Sequence, residues 1–125
     1  MKFVSAFTLA LALSVSLFSG SARADGDAAK GEKVFNKCKS CHSVDEGGKH
    51  KVGPNLFGVF GRAVAATDYP KYEALSADDG VWDAETLDKW LADPKKFNGK
   101  KTKMVLKLKK EDDRENVIAY LMTLK

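Results

Sequence analysis

The chain has 125 residues, with 21 basic and 17 acidic side chains and two cysteines. Its length fits one domain, and it contains no internal repeat, low-complexity tract or linker that would suggest a second. Charge is unevenly distributed, because residues 95–110 hold eight lysines and no acid whereas residues 68–93 hold eight acids and two lysines. Aromatic residues are not interleaved among the basic ones, which argues against nucleic-acid binding.

The first 24 residues have the pattern of a secretory signal peptide. Lys2 precedes an uninterrupted apolar or small-residue run from Phe7 to Phe18, and Ala22-Arg23-Ala24 follows. This run is too short for a membrane anchor, which needs roughly 20 apolar residues. We therefore expect cleavage after Ala24, which leaves residues 25–125 as a soluble domain without stable membrane insertion.

Three amphipathic segments predict helices at 27–39, 83–92 and 111–124. Asp27 and Asp83 are suitable N-caps for the first two, and Pro94 stops the second. Residues 43–67 are rich in glycine and residues 98–110 are basic and poorly patterned, so both are predicted to be loops. No convincing pair of strands is present, and the predicted fold class is all-α with long loops.

The two cysteines lie in the pattern Cys38-Lys39-Ser40-Cys41-His42, which is C-x-x-C-H. This spacing attaches a c-type haem, because one turn of chain presents both thiols to the vinyl groups of one porphyrin edge. His42 then lies beneath the ring, where it can ligate the iron. The sequence therefore predicts one covalent haem c.

Three other interpretations of the two cysteines are weaker. A disulfide across two residues would close too small a loop to stabilise the fold much. A thioredoxin-like redox pair would need a βαβ pattern, which is missing around this motif. A zinc site would need four ligands, and His50 lies in a Gly/Lys-rich surface stretch.

Candidates for the second axial ligand are Met104, Met122 and His50. Met104 is preferred because it lies in a loop far along the chain, from which it can approach the opposite face of the haem. Met122 lies beside the apolar stripe of the last helix. With both axial positions filled, iron has no room for a substrate, so we expect electron transfer rather than enzyme activity. An open sixth position that binds a small ligand is the alternative.

The chain resembles the class I c-type cytochromes, most closely bacterial cytochrome c2 and its mitochondrial relatives. The likeness covers essentially all of residues 25–125. It is carried by residues 31–35, 38–42, 47–51, 53–62, 94–97, 102–104 and 118–121. Two positions depart from mitochondrial members: Leu106 replaces an aromatic residue, and Trp90 replaces a tyrosine near the methionine ligand.

The resemblance implies roles for further residues around the haem. It gives the Pro54 carbonyl as hydrogen-bond acceptor for His42, and Arg62, Tyr72 and Trp82 as partners of the haem propionates. It also explains a glycine inside the first helix. In this family Gly31 would lie at the crossing with the last helix.

The family likeness further implies a ring of lysines around the exposed haem edge. The corresponding residues are Lys37, Lys39, Lys51, Lys95, Lys96, Lys101 and Lys103. These lysines would meet acidic surfaces of redox partners in a weak, salt-sensitive complex. We expect a monomeric periplasmic shuttle from a quinol-oxidising cytochrome bc complex to a photosynthetic reaction centre or terminal oxidase. A dedicated acceptor for one periplasmic dehydrogenase is the alternative.

Overall fold

The computed structural model of the chain describes residues 26–125, and the predicted signal peptide lies outside them. Three α-helices are formed: α1 at Ala28–Phe35, α2 at Ala84–Ala92 and α3 at Glu111–Leu121. Short 3₁₀ turns cover Ala77–Asp79 and Pro94–Lys96. Within the described residues the only β pairing is an isolated antiparallel bridge between Ala63 and Val81. The predicted all-α class with long loops is confirmed. None of the helices between residues 26 and 125 is both long and apolar enough to span a membrane.

Helices α1 and α3 cross in close contact, and Gly31 marks the crossing point. A Cβ atom at this position would overlap the Asn116 carbonyl and lie 2.9 Å from the Tyr120 Cβ. Beside it, the ring centroids of Phe35 and Tyr120 are 5.2 Å apart. The glycine costs about 1 kcal/mol of helix propensity against alanine. In return, the missing side chain lets the two backbones approach closely, and Phe35 and Val117 are almost completely buried.

Side-chain caps fix the starts of α1 and α2. The Asp27 carboxylate accepts the Lys30 N–H at 3.0 Å, and the Asp83 carboxylate accepts the Thr86 N–H at 2.8 Å. Helix α2 buries Leu87, Trp90 and Leu91 on one face. Both predicted N-caps are therefore confirmed.

Two helices end earlier than their sequence pattern predicts. Helix α1 stops at Phe35 instead of residue 39, because the chain tightens into turns in which each N–H bonds the carbonyl three residues back. Helix α3 stops at Leu121 instead of 124, where similar turns form. The Leu124 carbonyl accepts the N–H of Gly58 at 2.6 Å, so the chain end is attached to the glycine-rich loop.

The long loops complete the core between the helices. Trp82, Trp90 and Phe97 form a cluster with ring centroids 5.4–6.0 Å apart. Leu108 is buried, and its N–H donates to the Leu91 carbonyl at 2.9 Å. These contacts attach to α2 the loop that contains Met104. A large apolar cavity lies beside this loop.

Candidate haem-binding site

A largely apolar cavity of about 400 Å³ lies between the helices and the loops. Its lining includes all eight residues that the sequence assigned to the haem. These are Cys38, Cys41, His42, Pro54, Arg62, Tyr72, Trp82 and Met104. They come from segments up to 66 residues apart, so the fold brings the whole predicted set to one cavity. An apolar cavity with a few polar groups suits a large flat cofactor.

The cysteine motif is held by the turns that follow α1. The Cys38 carbonyl accepts both the Cys41 N–H at 3.1 Å and the His42 N–H at 2.9 Å. Cys38 is buried, and burial, reinforced by Cys41, raises the pKa of its thiol to about 11. A thiolate is therefore disfavoured at this position. A thioether carries no charge, so a covalently attached cofactor fits the same apolar surroundings.

His42 has a single tautomer defined by its neighbour. Its Nδ1 lies 2.7 Å from the Pro54 carbonyl oxygen, and a carbonyl can only accept, so Nδ1 carries the hydrogen. Burial lowers the pKa of His42, although the bond to Pro54 opposes this effect. The ring is therefore neutral with a lone pair on Nε2, which is the form that ligates iron.

Gly53 packs directly against the His42 ring. A Cβ at residue 53 would overlap the ring and lie 2.9 Å from each of its nitrogens. Its backbone is fixed in this place because the Gly53 N–H donates to the Cys41 carbonyl at 2.8 Å. From the sequence, this glycine is predicted only to be part of a loop, and its contact with the histidine is not foreseen.

Met104 is the candidate axial residue that the structure brings to the cavity. It is half-buried, and its backbone N–H donates to the Thr102 hydroxyl at 3.1 Å, which fixes the local turn. Neither His50 nor Met122 lines the cavity. Met122 packs against the hydrophobic core, and His50 lies 2.6 Å from the Asp68 carboxylate. Of the three candidates, only Met104 lines the cavity, and its ligation of iron stays a prediction.

Arg62 offers a test of whether the cavity fits a cofactor with carboxylates. Its Nη1 donates to the Phe57 carbonyl at 3.0 Å, whereas its buried Nε has no hydrogen-bond partner among residues 26–125. Burial lowers the pKa of the guanidinium, and Tyr72 opposes this effect. A buried unpaired donor is costly. A propionate would satisfy it, so the residues fit a haem. The Tyr72 hydroxyl bonds Thr67, and Trp82 is buried.

The seven lysines predicted to meet partners are all exposed. Lys37 and Lys103 line the cavity, and the other five do not. Lys103 pairs with Glu73 at 3.1 Å, and the Lys51 ammonium donates to the Lys39 carbonyl at 2.6 Å. Their docking role stays a prediction.

Comparisons with known proteins show the family to which the chain is similar. The sequence model of the cytochrome c family matches residues 28–125. Cytochrome c2 of Rhodospirillum rubrum is 48% identical over 122 residues, covering 89% of this chain and 90% of that protein. Cytochrome c-550 of Novispirillum itersonii is 46% identical over 111 residues, covering 80% of this chain and 100% of its own. The structure of cytochrome cH from Methylobacterium extorquens superposes with a TM-score of 0.70 at 37% identity, covering 78% of this chain and 99% of that one.

The chain therefore belongs to the cytochrome c family, as a class I c-type cytochrome. Within that class it is close to the bacterial cytochromes c2. It binds haem c covalently through Cys38 and Cys41, and it is an electron carrier.

Proposed function

We propose that residues 25–125 form a periplasmic single-haem shuttle, released by cleavage after Ala24. It would take electrons from a quinol-oxidising cytochrome bc complex and deliver them to a photosynthetic reaction centre or terminal oxidase. The observation that carries this proposal is the convergence of His42 and Met104 on one cavity whose edge also carries Lys37 and Lys103.

His42 and Met104 would fill both axial positions of the iron. Bound haem supplies reversible one-electron chemistry, and a thioether ligand raises its potential. Pro54 would hold the His42 ring, while Arg62, Tyr72 and Trp82 would pair with the propionates. With no vacant position at iron, the protein would exchange electrons through the haem edge and would not bind substrate at the metal.

The surface beside the cavity supports a transient encounter with an acidic partner. Val52 and Val105 line the cavity and are 69% and 68% exposed. Lys37 and Lys103 also line the cavity and are exposed. A small apolar patch with a basic border gives fast, salt-dependent association without a stable complex.

Electron-transfer rates with a purified bc complex and with a reaction centre or oxidase test this proposal. We expect the rates to fall as ionic strength rises. Lys37→Gln should slow both reactions, whereas Lys109→Gln, an equal charge change away from the cavity, should slow them less. Rates that change neither with salt nor in either variant would contradict the docking proposal. A strong preference for a single dehydrogenase would favour the dedicated-acceptor alternative.

Intact-mass measurement of the periplasmic protein tests export and processing. The expected mass is that of residues 25–125 plus one haem. A mass that retains residues 3–24 would contradict cleavage after Ala24.

A further inference from the structure

One peptide unit in the glycine-rich loop connects two histidines. The Pro54 carbonyl accepts from His42 Nδ1 at 2.7 Å, and the Asn55 N–H, on the same peptide unit, lies 2.9 Å from His50 Nδ1. The second ring is then bonded through its Nε2 to the Asp68 carboxylate at 2.6 Å. Hydrogen bonds therefore run without a break from Asp68 to the proposed haem ligand.

The direction of each bond follows from the chemistry of the groups. A backbone N–H can only donate, so His50 Nδ1 accepts and its Nε2 carries the hydrogen. That hydrogen points to the Asp68 carboxylate, which can only accept when ionised. The hydrogen bond from His50 lowers the pKa of Asp68, which favours the ionised form. The neutral His50 ring is thus an acceptor toward the peptide and a donor toward Asp68.

The shared peptide unit has little freedom to rotate. Asn55 is buried, and its side-chain amide donates to the Ser43 hydroxyl at 2.8 Å and the Asp45 carbonyl at 3.0 Å. Its side-chain oxygen accepts the Phe57 N–H at 2.9 Å. A substitution of His50 should therefore change the strength of the hydrogen bonds made by the Pro54–Asn55 peptide unit more than the orientation of that unit.

We propose that His50, held by Asp68, is a positioning residue for the haem ligand His42. By accepting the Asn55 N–H, it polarises the peptide and strengthens the Pro54 carbonyl as acceptor for His42. This inference rests on the proposed ligation by His42 and assigns a new role to two residues outside the cavity.

The expected direction follows from the cooperativity of linked hydrogen bonds. A stronger acceptor at Pro54 makes the His42 ring more basic, which favours ferric over ferrous iron and lowers the potential. The Asp68 side chain is 96% exposed, so its charge is screened by water. Asp68 contributes by holding the ring of His50 in place. Substituting Asp68 should therefore change the potential less than substituting His50.

The test compares haem-loaded variants by reduction potential and by the NMR shift of the His42 Nδ1 proton in the ferrous protein. His50→Leu removes the acceptor and should move the proton upfield and raise the potential. His50→Asn can keep an oxygen near the position of Nδ1 and should fall between wild type and His50→Leu. Asp68→Ala should shift both quantities in the same direction by less.

A structural control separates positioning from loosening of the loops. The Asn98 side chain donates to the Ala74 carbonyl at 2.7 Å and to Asp79 at 3.2 Å, away from the shared peptide. Asn98→Ala should lower stability and leave the His42 proton in place.

An unmoved His42 proton in folded His50→Leu would overturn the inference, even if the potential changed. If His50→Leu does not fold, an unmoved proton in Asp68→Ala has the same meaning. Failure of the ligation proposal itself would show differently, as a wild-type ferric spectrum without histidine–methionine character.

Discussion

Gly53 lies against the imidazole ring of His42 with no room for a side chain. A Cβ atom there would lie 2.9 Å from both ring nitrogens. The ring is held on one edge by the Pro54 carbonyl at 2.7 Å, so it cannot move aside without losing that bond. Glycine is therefore required at residue 53, because any side chain there would push the His42 ring out of its present orientation.

Gly53→Ala should displace the His42 ring. We expect a loss of about 1–3 kcal/mol in the free energy of unfolding, the usual cost of overpacking. The absorption spectrum of the haem should change as well. Gly47→Ala is the control, because residue 47 has a φ of 68° and an open neighbourhood. That variant should lose stability through backbone strain and keep the wild-type spectrum.

Gly31→Ala should destabilise the protein although alanine favours helices. Propensity would contribute about 1 kcal/mol in favour of the variant. The new Cβ would overlap the Asn116 carbonyl, which belongs to the backbone of α3 and cannot rotate away. Because the overlap is with backbone, we expect an overpacking cost near the upper end of the usual range, about 3 kcal/mol, which leaves a net loss of about 2 kcal/mol in denaturant unfolding. Ala29→Gly, at an exposed position of α1, should cost only about 1 kcal/mol. Equal or greater stability of Gly31→Ala would show that the helices do not cross as described.

Met104→Ala should open the sixth coordination position of the iron. We expect the ferrous variant to bind carbon monoxide and its potential to fall, because the thioether ligand is lost. Met122→Ala is matched in chemistry but lies outside the cavity. It should lose about 1–2 kcal/mol of stability, less than a fully buried methionine would, and remain unreactive to carbon monoxide. Rapid carbon monoxide binding by wild type would instead support the open-site alternative.

If Arg62 pairs with a haem propionate, Arg62→Met should leave that carboxylate without a cationic partner. Loss of an opposite charge raises the pKa of a carboxyl group. The potential should then fall as pH rises through that raised pKa, because the ionised propionate favours ferric iron. Potentials measured across a pH series check this expectation, with Arg62→Lys as the variant that keeps the charge. A pH dependence identical to wild type in Arg62→Met would contradict the pairing.

The helices could be predicted because their signals are local. Asp27 and Asp83 are caps whose partners lie three residues away, and both act as expected. The ends of α1 and α3 could be predicted less accurately. In the turns after Phe35, each N–H bonds the carbonyl three residues back instead of four. Cys38 still lies at helical spacing in the sequence, so the pattern of apolar residues does not show that α1 has ended.

The residues assigned to the haem came from the C-x-x-C-H motif and the family likeness, and the structure brings them together at one cavity. Their individual roles stay predictions. The contacts of Gly53 and Asn55 could not. Each depends on loops that meet only in the folded chain, such as residues 50–55 against His42 and Asp68. His50 looked like a surface residue because its partner is 18 positions away. The signal that could have found it was a polar side chain beside a Gly-Pro-Asn turn.

Absorption spectra of the oxidised and reduced holoprotein through the near-infrared test whether His42 and Met104 hold the iron of this electron carrier. We expect a sharp c-type α-band on reduction and a weak near-infrared band in the ferric form, lost in Met104→Ala and kept in Met122→Ala. A high-spin ferric spectrum without the near-infrared band would contradict methionine ligation and support an open sixth position.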